Sequence, residues 1–537
     1  MRIFTKKNMP TDNLTYQQSG YFTKIIIDYL NQDETVKPFY NRFPTLENFK
    51  YQIEEKTANY LNKNRIILSS TIKNQYNKVD TAPLVNKNIL LLADENTFTI
   101  TTGHQLNLFT GPLYFLYKII STINLCKQLK ATYPKQNFVP IYWMATEDHD
   151  FEEINYFNYK NKKIKWSKTS NGPVGRLYTS GLQDVLKVFE TQLGTSTNAK
   201  YLINVFEKSY LNHQNLAAAT RYLANELFKN DGLVIIDADS KPLKKLFIPY
   251  FKQELLQQSS YTTVTETNNQ LINYSIQVNP REINLFYIEN NLRERIIFDN
   301  GNFKINNTKI IFSSQEILNE LENFPEKFSP NVLLRPLYQE VVLPNLAYIG
   351  GGGELAYWLQ LKATFKLFTT TFPMLILRNS ALLISEKQFK KMTGLHISVA
   401  DLFLKNETLL SKKATELSHL PIDFTSQKET LKNQFELLIN VAQQTDKTFI
   451  GAVKAQEIKQ LRGLLHLEKR LLKAEKRVYK ETLSRISDLQ EELFPGQSLQ
   501  ERKQNFSEFF VDYGFSLIAK ISENLNPLSP DFSVIYL

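Results

Sequence analysis

Thr97-Phe98-Thr99-Ile100-Thr101-Thr102-Gly103-His104-Gln105-Leu106-Asn107-Leu108-Phe109-Thr110-Gly111-Pro112 passes from a β-branched run into a turn crowded with polar side chains. Thr97 to Thr101 reads as a buried strand. Gly111-Pro112 reads as the opening of a helix that continues to about Lys130, with proline preset for its first turn. A second apolar strand, Val139 to Met144, runs in the same way into Glu147-Asp148-His149-Asp150. Strands that end in reactive polar residues before a helix are what an open α/β sheet produces, and such a sheet holds its ligands at those strand ends. The stretch therefore predicts an α/β fold with a parallel-sheet core and a crevice along one edge.

Working outward, the same rhythm returns. Asn230-Asp231-Gly232 turns into the strand Leu233 to Asp237. Leu346 to Ile349 runs into Gly350-Gly351-Gly352-Gly353 and a helix from Glu354 to about Phe368, and Phe372 to Leu377 supplies a last strand. Residues 1 to about 90 read as mostly helical, with amphipathic stretches at Phe22 to Leu30 and Phe49 to Leu61. Two insertions interrupt the sheet: a helical one at about 160–230, and a small β one at about 280–315 with hairpin turns at Asn290-Asn291 and Asp299-Asn300-Gly301. The core is thus expected over residues 1–384.

Residues 385–492 read as an α-helical coiled-coil hairpin. Leu431, Phe435, Leu438 and Ala442 step by four, three and four. After a break at Gly451, Leu464, Leu467, Leu471, Ala474 and Val478 step by three and four, and Thr482, Ile486, Leu489 and Leu493 follow after a four-residue stutter. Two long antiparallel helices are the simplest reading, with a stripe suited to pairing with a second copy in a homodimer. Residues 493–537 are expected to form a tail that packs on the core.

Composition narrows the function. With 537 residues, 42% hydrophobic and 22% charged, the chain reads as soluble and globular, and no apolar run approaches the roughly 20 residues of a membrane span. The opening stretch MRIFTKKNMPTDN lacks the apolar segment of a secretory leader, so a cytoplasmic location is expected. The net charge of +10 is spread along the chain without a nucleic-acid recognition motif, which argues against a nucleic-acid partner. The single cysteine, Cys126, excludes an internal disulfide or a cysteine zinc cage and falls on the apolar face of a helix, as a packing residue would.

The chemistry concentrates in three clusters. In the first, Gly103, His104, Gln105, Asn107 and Gly111 would present donors and a helix N-terminus to an anion, with His104 able to shuttle a proton; alternatively, His104 caps a turn. In the second, Glu147, Asp148, His149 and Asp150 repel one another unless a cation or proton enters. They suggest an ammonium site, a Mg²⁺ site or a general base, set against an acidic helix start in solvent. In the third, Gly351, Gly352 and Glu354 form a glycine-rich turn without the spacing of a phosphate-binding P-loop or a dinucleotide fingerprint. Ahead of it, Arg335 is a candidate anion clamp and Glu340 a candidate partner for amine or ribose hydroxyls, unless both are structural ion pairs. His213, His396, His419 and His466 read as structural, and no residue is assigned as a resident metal ligand.

Several of these pieces carry a resemblance. Thr102-Gly103-His104-Gln105, Phe109-Thr110-Gly111-Pro112-Leu113-Tyr114-Phe115, Glu147-Asp148-His149-Asp150-Phe151, Leu334-Arg335-Pro336, Tyr348-Ile349-Gly350-Gly351, Glu354-Leu355-Ala356-Tyr357-Trp358 and Leu499-Gln500-Glu501-Arg502 resemble, in order along nearly the whole chain, the bacillithiol biosynthesis family of cysteine-adding enzymes. The resemblance implies a Rossmann-like core similar to nucleotidyltransferases and class I synthetases, connecting-peptide insertions, and a coiled coil that pairs two subunits. It also implies a ligase that joins the carboxyl of cysteine to the amine of glucosaminyl malate. In that reading His104, Asp148, His149 and Asp150 are catalytic, and a carboxyl must be activated before an amine can attack it, so ATP is the expected co-substrate. The turn departs from the synthetase pattern in lacking a second signature histidine and a lysine-rich mobile loop. Two rivals are a metal-dependent hydrolase using the 147–150 cluster and a non-catalytic coiled-coil scaffold.

Overall fold

The computed structural model describes residues 14–77, 79–445 and 447–537; the opening stretch read for a leader lies outside them. Two compact units emerge. One holds the residues through Leu382 together with Gln500–Ile535 and Leu537, the other Leu383–Leu499 with Tyr536. No helix among the described residues is long and apolar enough to cross a membrane.

The first unit is built on five parallel strands: β1 (Thr97–His104), β2 (Asn137–Met144), β3 (Val234–Asp237), β4 (Asn345–Gly350) and β5 (Met374–Leu377). Their order across the sheet is β5-β4-β1-β2-β3. Chain order therefore runs outward from β1 on one side and resumes at β4 on the other, so the topological switch lies between β1 and β4. That is where an open α/β sheet leaves a crevice beyond its carboxyl ends. All residues of β1 except Gly103 are buried, as a strand covered on both faces requires. Its threonine hydroxyls are satisfied inside the sheet: Thr99 and Thr101 donate to Asn345 Oδ1 at 3.2 and 2.8 Å, and Thr102 donates to the Ile349 carbonyl at 2.7 Å.

Helix α1 (Tyr114–Thr132) packs on β1 and β2, and Cys126 sits in its core cluster with Phe98, Ile100, Leu125, Leu129 and Phe138. Burial pushes that thiol well above its ordinary range, as expected of an inert packing residue. The helix begins at Tyr114, later than Gly111-Pro112 suggested, because Phe109, Thr110 and Gly111 take φ values of 47°, 67° and 63°. Such a turn strains Phe109. It is held by burying the Phe109 ring among Phe157, Phe189, Phe206 and Phe506, and by Asn505 Nδ2 donating to the carbonyls of Phe109 and Gly111 at 2.8 and 2.6 Å.

The helical insertion opens with a hairpin (Tyr156–Tyr159, Lys162–Lys165) before its helices Leu182–Leu193, Thr197–Tyr210 and Leu216–Phe228. The β insertion forms a five-stranded antiparallel sheet of Leu285–Glu289, Leu292–Asp299, Asn302–Ile305, Ile311–Phe312 and a later strand, Phe328–Pro330. Helices α2 (Arg335–Val342) and α3 (Gly352–Trp358) flank β4, and the helix predicted to reach Phe368 is broken into α3 and a second segment, Lys362–Leu367.

The segment Gln500–Ile535 belongs to this unit and carries a titrating group. Burial pushes Glu508 up to about 7 from 4.5, only partly opposed by hydrogen bonds from the backbone. The folded state then holds this proton better than the unfolded chain. The associated stability is complete below about 4.5 and is lost as pH rises through about 7. Glu508→Gln is accordingly expected to stabilise the protein by up to about 3 kcal/mol at pH 8 and to have little effect at pH 4, measured by urea unfolding. Equal effects at both pH values would contradict this.

In the second unit, α4 (Thr425–Ala442) and α5 (Lys447–Val478) form the helical hairpin, with Phe435, Ala442 and Val453 buried between them. Gly451 lies inside α5, so the expected break there is replaced by the turn at 443–445. Tyr479 then separates α5 from α6 (Lys480–Leu493), where the stutter was read. Glycine opposite no crowding neighbour weakens a helix without ending it, which is why the sequence signal misled.

Candidate active site

A cleft of about 360 Å³ opens at the switch point. Gly103, His104 and Gln105 line it from the end of β1, Trp143, Ala145 and Asp148 from β2 and the loop after it, and Gly351, Gly352, Gly353 and Glu354 from the turn after β4. Tyr114 and Lys118, one turn apart on α1, form another wall, and Arg335, Arg378 and Arg502 complete it.

Its electrostatics favour anions. Lys118 is buried, ion-pairs with Glu354 Oε2 at 2.5 Å and donates to the Gly103 carbonyl at 2.7 Å. Glu354 also accepts from Tyr348 Oη at 2.7 Å and from the Gly351 N–H at 2.8 Å, which fixes the glycine turn. Gly350 is needed there because a Cβ would lie 2.8 Å from the Tyr348 ring. Arg378 pairs with buried Glu501 at 2.7 Å and lies 4.7 Å from the centre of the Tyr114 ring. Among the described residues no carboxylate lies within 4.0 Å of Arg335 or Arg502, so two guanidinium groups on the cleft wall are left without a carboxylate partner.

His104 is buried, and its Nε2 has no hydrogen-bond partner among the described residues. Burial, with the charge of Lys118 second, holds its pKa well below the ordinary histidine range. It is therefore a neutral ring with a buried, unused nitrogen. Asp148 is the reverse case. Burial pushes its carboxyl up, but the hydrogen bond with His149 and the charges of Arg335 and Arg293 more than offset this, and it sits well below the usual carboxylate range. An anion so stabilised is a weak base and a firm counter-ion for an ammonium group.

The remaining sequence candidates divide. Gln105 bridges Asp148 and Glu153, donating at 3.4 and 2.9 Å. His149 and Asp150 lie on the outer side of the loop: His149 lines a separate groove against the β insertion, and the Asp150 side chain is 53% exposed. Asn107 and Gly111 are absent from the cleft wall and belong to the strained turn, where a Cβ on Gly111 would lie 2.5 Å from Asn107 Cβ. Glu147 points away from the cleft into a buried ion pair with Lys244, whose ammonium also donates to the Phe328 carbonyl. Glu340 is farther still. It pairs with buried Lys56 at 2.9 Å and accepts from Asn345 Nδ2 at 2.6 Å, at the amino end of β4, so the ligand contact foreseen for it is replaced by a structural pair.

Lys118, Tyr114, Arg378 and Arg502 were not read from the sequence as site residues, although Tyr114 and Arg502 fall in stretches that carry the resemblance. Arg378 obeys the same rule as the others, following directly on the end of β5. Lys118 is the one cation on an otherwise apolar stretch of α1, which is itself a signal.

Ligand atoms of Asp148, His149 and Asp150 come within 4.8 Å of one another, the geometry a hydrolytic metal would need. Arg293 Nη1, however, lies 2.5 Å from His149 Nδ1 and 4.0 Å from Asp148 Oδ1. A guanidinium thus occupies the Nδ1 side of His149 and adds positive charge beside these donors.

The comparisons with known proteins agree along the whole chain. A family model described as "Bacillithiol biosynthesis BshC, N-terminal Rossmann-like domain" matches residues 9–379, and one described as "Bacillithiol biosynthesis BshC, C-terminal coiled-coil domain" matches residues 381–537. A relative from Flavobacterium johnsoniae named "Putative cysteine ligase BshC" is 61% identical over 527 residues, covering 98% of this chain and 100% of its own. One of the same name from Flavobacterium psychrophilum is 61% identical, covering 98% and 99%. Another from Bacillus cereus is 27% identical over 536 residues, covering 93% and 95%. With the switch-point cleft, the parallel sheet and the helical second unit all in place, this chain belongs to the bacillithiol biosynthesis BshC family, a Rossmann-like domain followed by a coiled-coil domain.

Proposed function

We propose that this protein is a cysteine ligase that joins the carboxyl of cysteine to the amine of glucosaminyl malate, with ATP as co-substrate. ATP supplies a leaving group for the cysteine carboxyl, which an amine cannot otherwise displace. The observation that carries the reading is the pairing in one cleft of an ionised Asp148 with unpaired Arg335 and Arg502 and the neutral ring of His104. Glucosaminyl malate has an amine at one end and carboxylates at the other. Asp148 holds the amine end, and Arg335 and Arg502 hold carboxylate or phosphate oxygens. His104 Nε2 and the turn at Gly351 supply the neutral contacts to an anion beside the sheet. In the bond-forming step the ammonium first gives up one proton to solvent, the free amine nitrogen attacks the activated carbonyl carbon, the leaving group departs with its electron pair, and a second proton is released as the amide forms.

The apolar residues left exposed along the hairpin, among them Leu437, Leu438, Ile458, Leu465 and Leu467, support the pairing of two copies that the resemblance implies. The function is tested by incubating the protein with ATP, cysteine and glucosaminyl malate and resolving products by mass. The expected result is an amide product that needs all three, with AMP or ADP marking the bond cleaved in the nucleotide. Absence of amide from folded protein, with the nucleotide intact, would refute the reading.

A further inference from the structure

We infer that Arg293, carried by the small β insertion, is a positioning residue for the cleft: it orients the Asp148 carboxylate and holds the His149 ring with its proton on Nε2. The inference rests on the reading of the cleft as the ligase site. Arg293 lies near the start of the strand Leu292–Asp299, opposite Ile288, is 5% exposed, and stacks on the Phe286 ring at 3.8 Å. From there Nη1 reaches His149 Nδ1 at 2.5 Å and comes within 4.0 Å of Asp148 Oδ1. A guanidinium can only donate, so in this contact Nδ1 accepts, in competition with Asp148 Oδ1, which lies 3.7 Å from the same nitrogen and would draw a proton there; the Arg293 contact places the ring proton on Nε2, 3.8 Å from Asp150 Oδ1. The His149 N–H in turn donates to Asp148 Oδ1 at 2.9 Å.

Packing does not explain this side chain. Its Nε has no partner among the described residues, and a buried cation is costly where a methionine of similar length would fill the space. What the charge does achieve is to stand within 4.0 Å of Asp148 from outside the cleft lining, in the groove that His149 shares with the β insertion. The backbone beneath is held independently: the Val174 N–H donates to the Asp148 carbonyl at 2.7 Å and the Gly175 N–H to the Thr146 carbonyl at 2.8 Å. Gly175 permits that approach, since a Cβ there would meet Thr146 Cβ at 2.6 Å. One insertion thus fixes the main chain of the loop and the other aims its carboxylate. The β insertion becomes part of the site rather than an ornament on the sheet.

The test uses the full chain labelled with ¹⁵N-histidine, read by long-range ¹H–¹⁵N spectra of the imidazole rings, with His149→Gln to assign the signal. The wild type is expected to show His149 as a single Nε2–H tautomer, and Arg293→Met to show the two tautomers averaged. In amide formation, Arg293→Met should lower kcat by about 10²-fold, the scale of a misaligned reacting group, with KM for ATP within about twofold. Arg293→Lys, which keeps a donor, should recover most of that loss. A packing role predicts the opposite order, with methionine the milder change. Finding the Nδ1–H tautomer in the wild type, or an unchanged kcat in Arg293→Met, overturns the inference. A wild type that forms no amide would remove the ligase reading instead, while the tautomer spectrum still decides the role of Arg293.

Discussion

Asp148→Asn is expected to lower amide formation by about 10²–10³-fold, the loss that follows removal of one preorganised charged contact, with the fold retained. Asparagine keeps the shape of the side chain and an oxygen to accept from the His149 N–H, so the loop has no reason to move. What it loses is the charge. Burial works against the native carboxylate, yet the His149 hydrogen bond and the guanidinium charges of Arg335 and Arg293 outweigh it and hold the group ionised, well below its ordinary range. Without that anion, the cleft is left with Lys118, Arg335, Arg378 and Arg502 against Glu354 alone, and an ammonium substrate meets repulsion. His104→Ala should cost a similar factor by removing the buried ring whose Nε2 is unused in the protein. The measurement is kcat/KM for the amine substrate together with thermal unfolding. Wild-type activity in the Asp148→Asn variant would remove Asp148 from the chemistry.

The largest expected effect on stability comes from the neighbouring residue. Glu147→Ala should destabilise the protein by about 3–5 kcal/mol, the cost of leaving a buried charge without its partner. The Lys244 ammonium is 0% exposed in its side chain, and once Glu147 is gone the contacts that remain to it among the described residues are the Phe328 carbonyl and, at 5.8 Å, the Tyr338 ring. A loss of that size is a large share of the roughly 5–15 kcal/mol by which folded proteins are stable. Adding Lys244→Met to Glu147→Ala should restore most of the loss, because the desolvated charge is then removed with its partner. Urea unfolding of the single and double variants checks this, and a single variant within about 0.5 kcal/mol of wild type would show that the pair is solvated after all.

Adjacent in sequence, Asp148 and Glu147 look alike, and their different fates show what a sequence withholds. The sheet was legible because parallel strands buried on both faces are written as unbroken apolar or β-branched runs, and the polar residue after each run marks its carboxyl end. By that rule His104, Asp148 and Gly351 were placed at strand ends, and all three line the cleft. It is silent on which way a side chain turns once past the strand. Glu147 is claimed by Lys244, 97 positions later, and Glu340 by Lys56, 284 positions earlier. Local spacing cannot reveal a partner so distant, and a buried carboxylate with a lysine reads the same as one waiting for a ligand. Asn107 and Gly111 were misjudged for a related reason: their polar and flexible character serves a strained turn closed by Asn505, nearly four hundred residues on. Arg293 went unnoticed because nothing local distinguishes it from Arg295, two positions along the same strand.

The central claim is that the switch-point cleft receives glucosaminyl malate with its amine against Asp148. A crystal structure of the protein with that compound bound tests it directly. The amine is expected within about 3 Å of the Asp148 carboxylate and the malate carboxylates against Arg335 or Arg502. The compound bound elsewhere, with Asp148 and both arginines untouched, would contradict it.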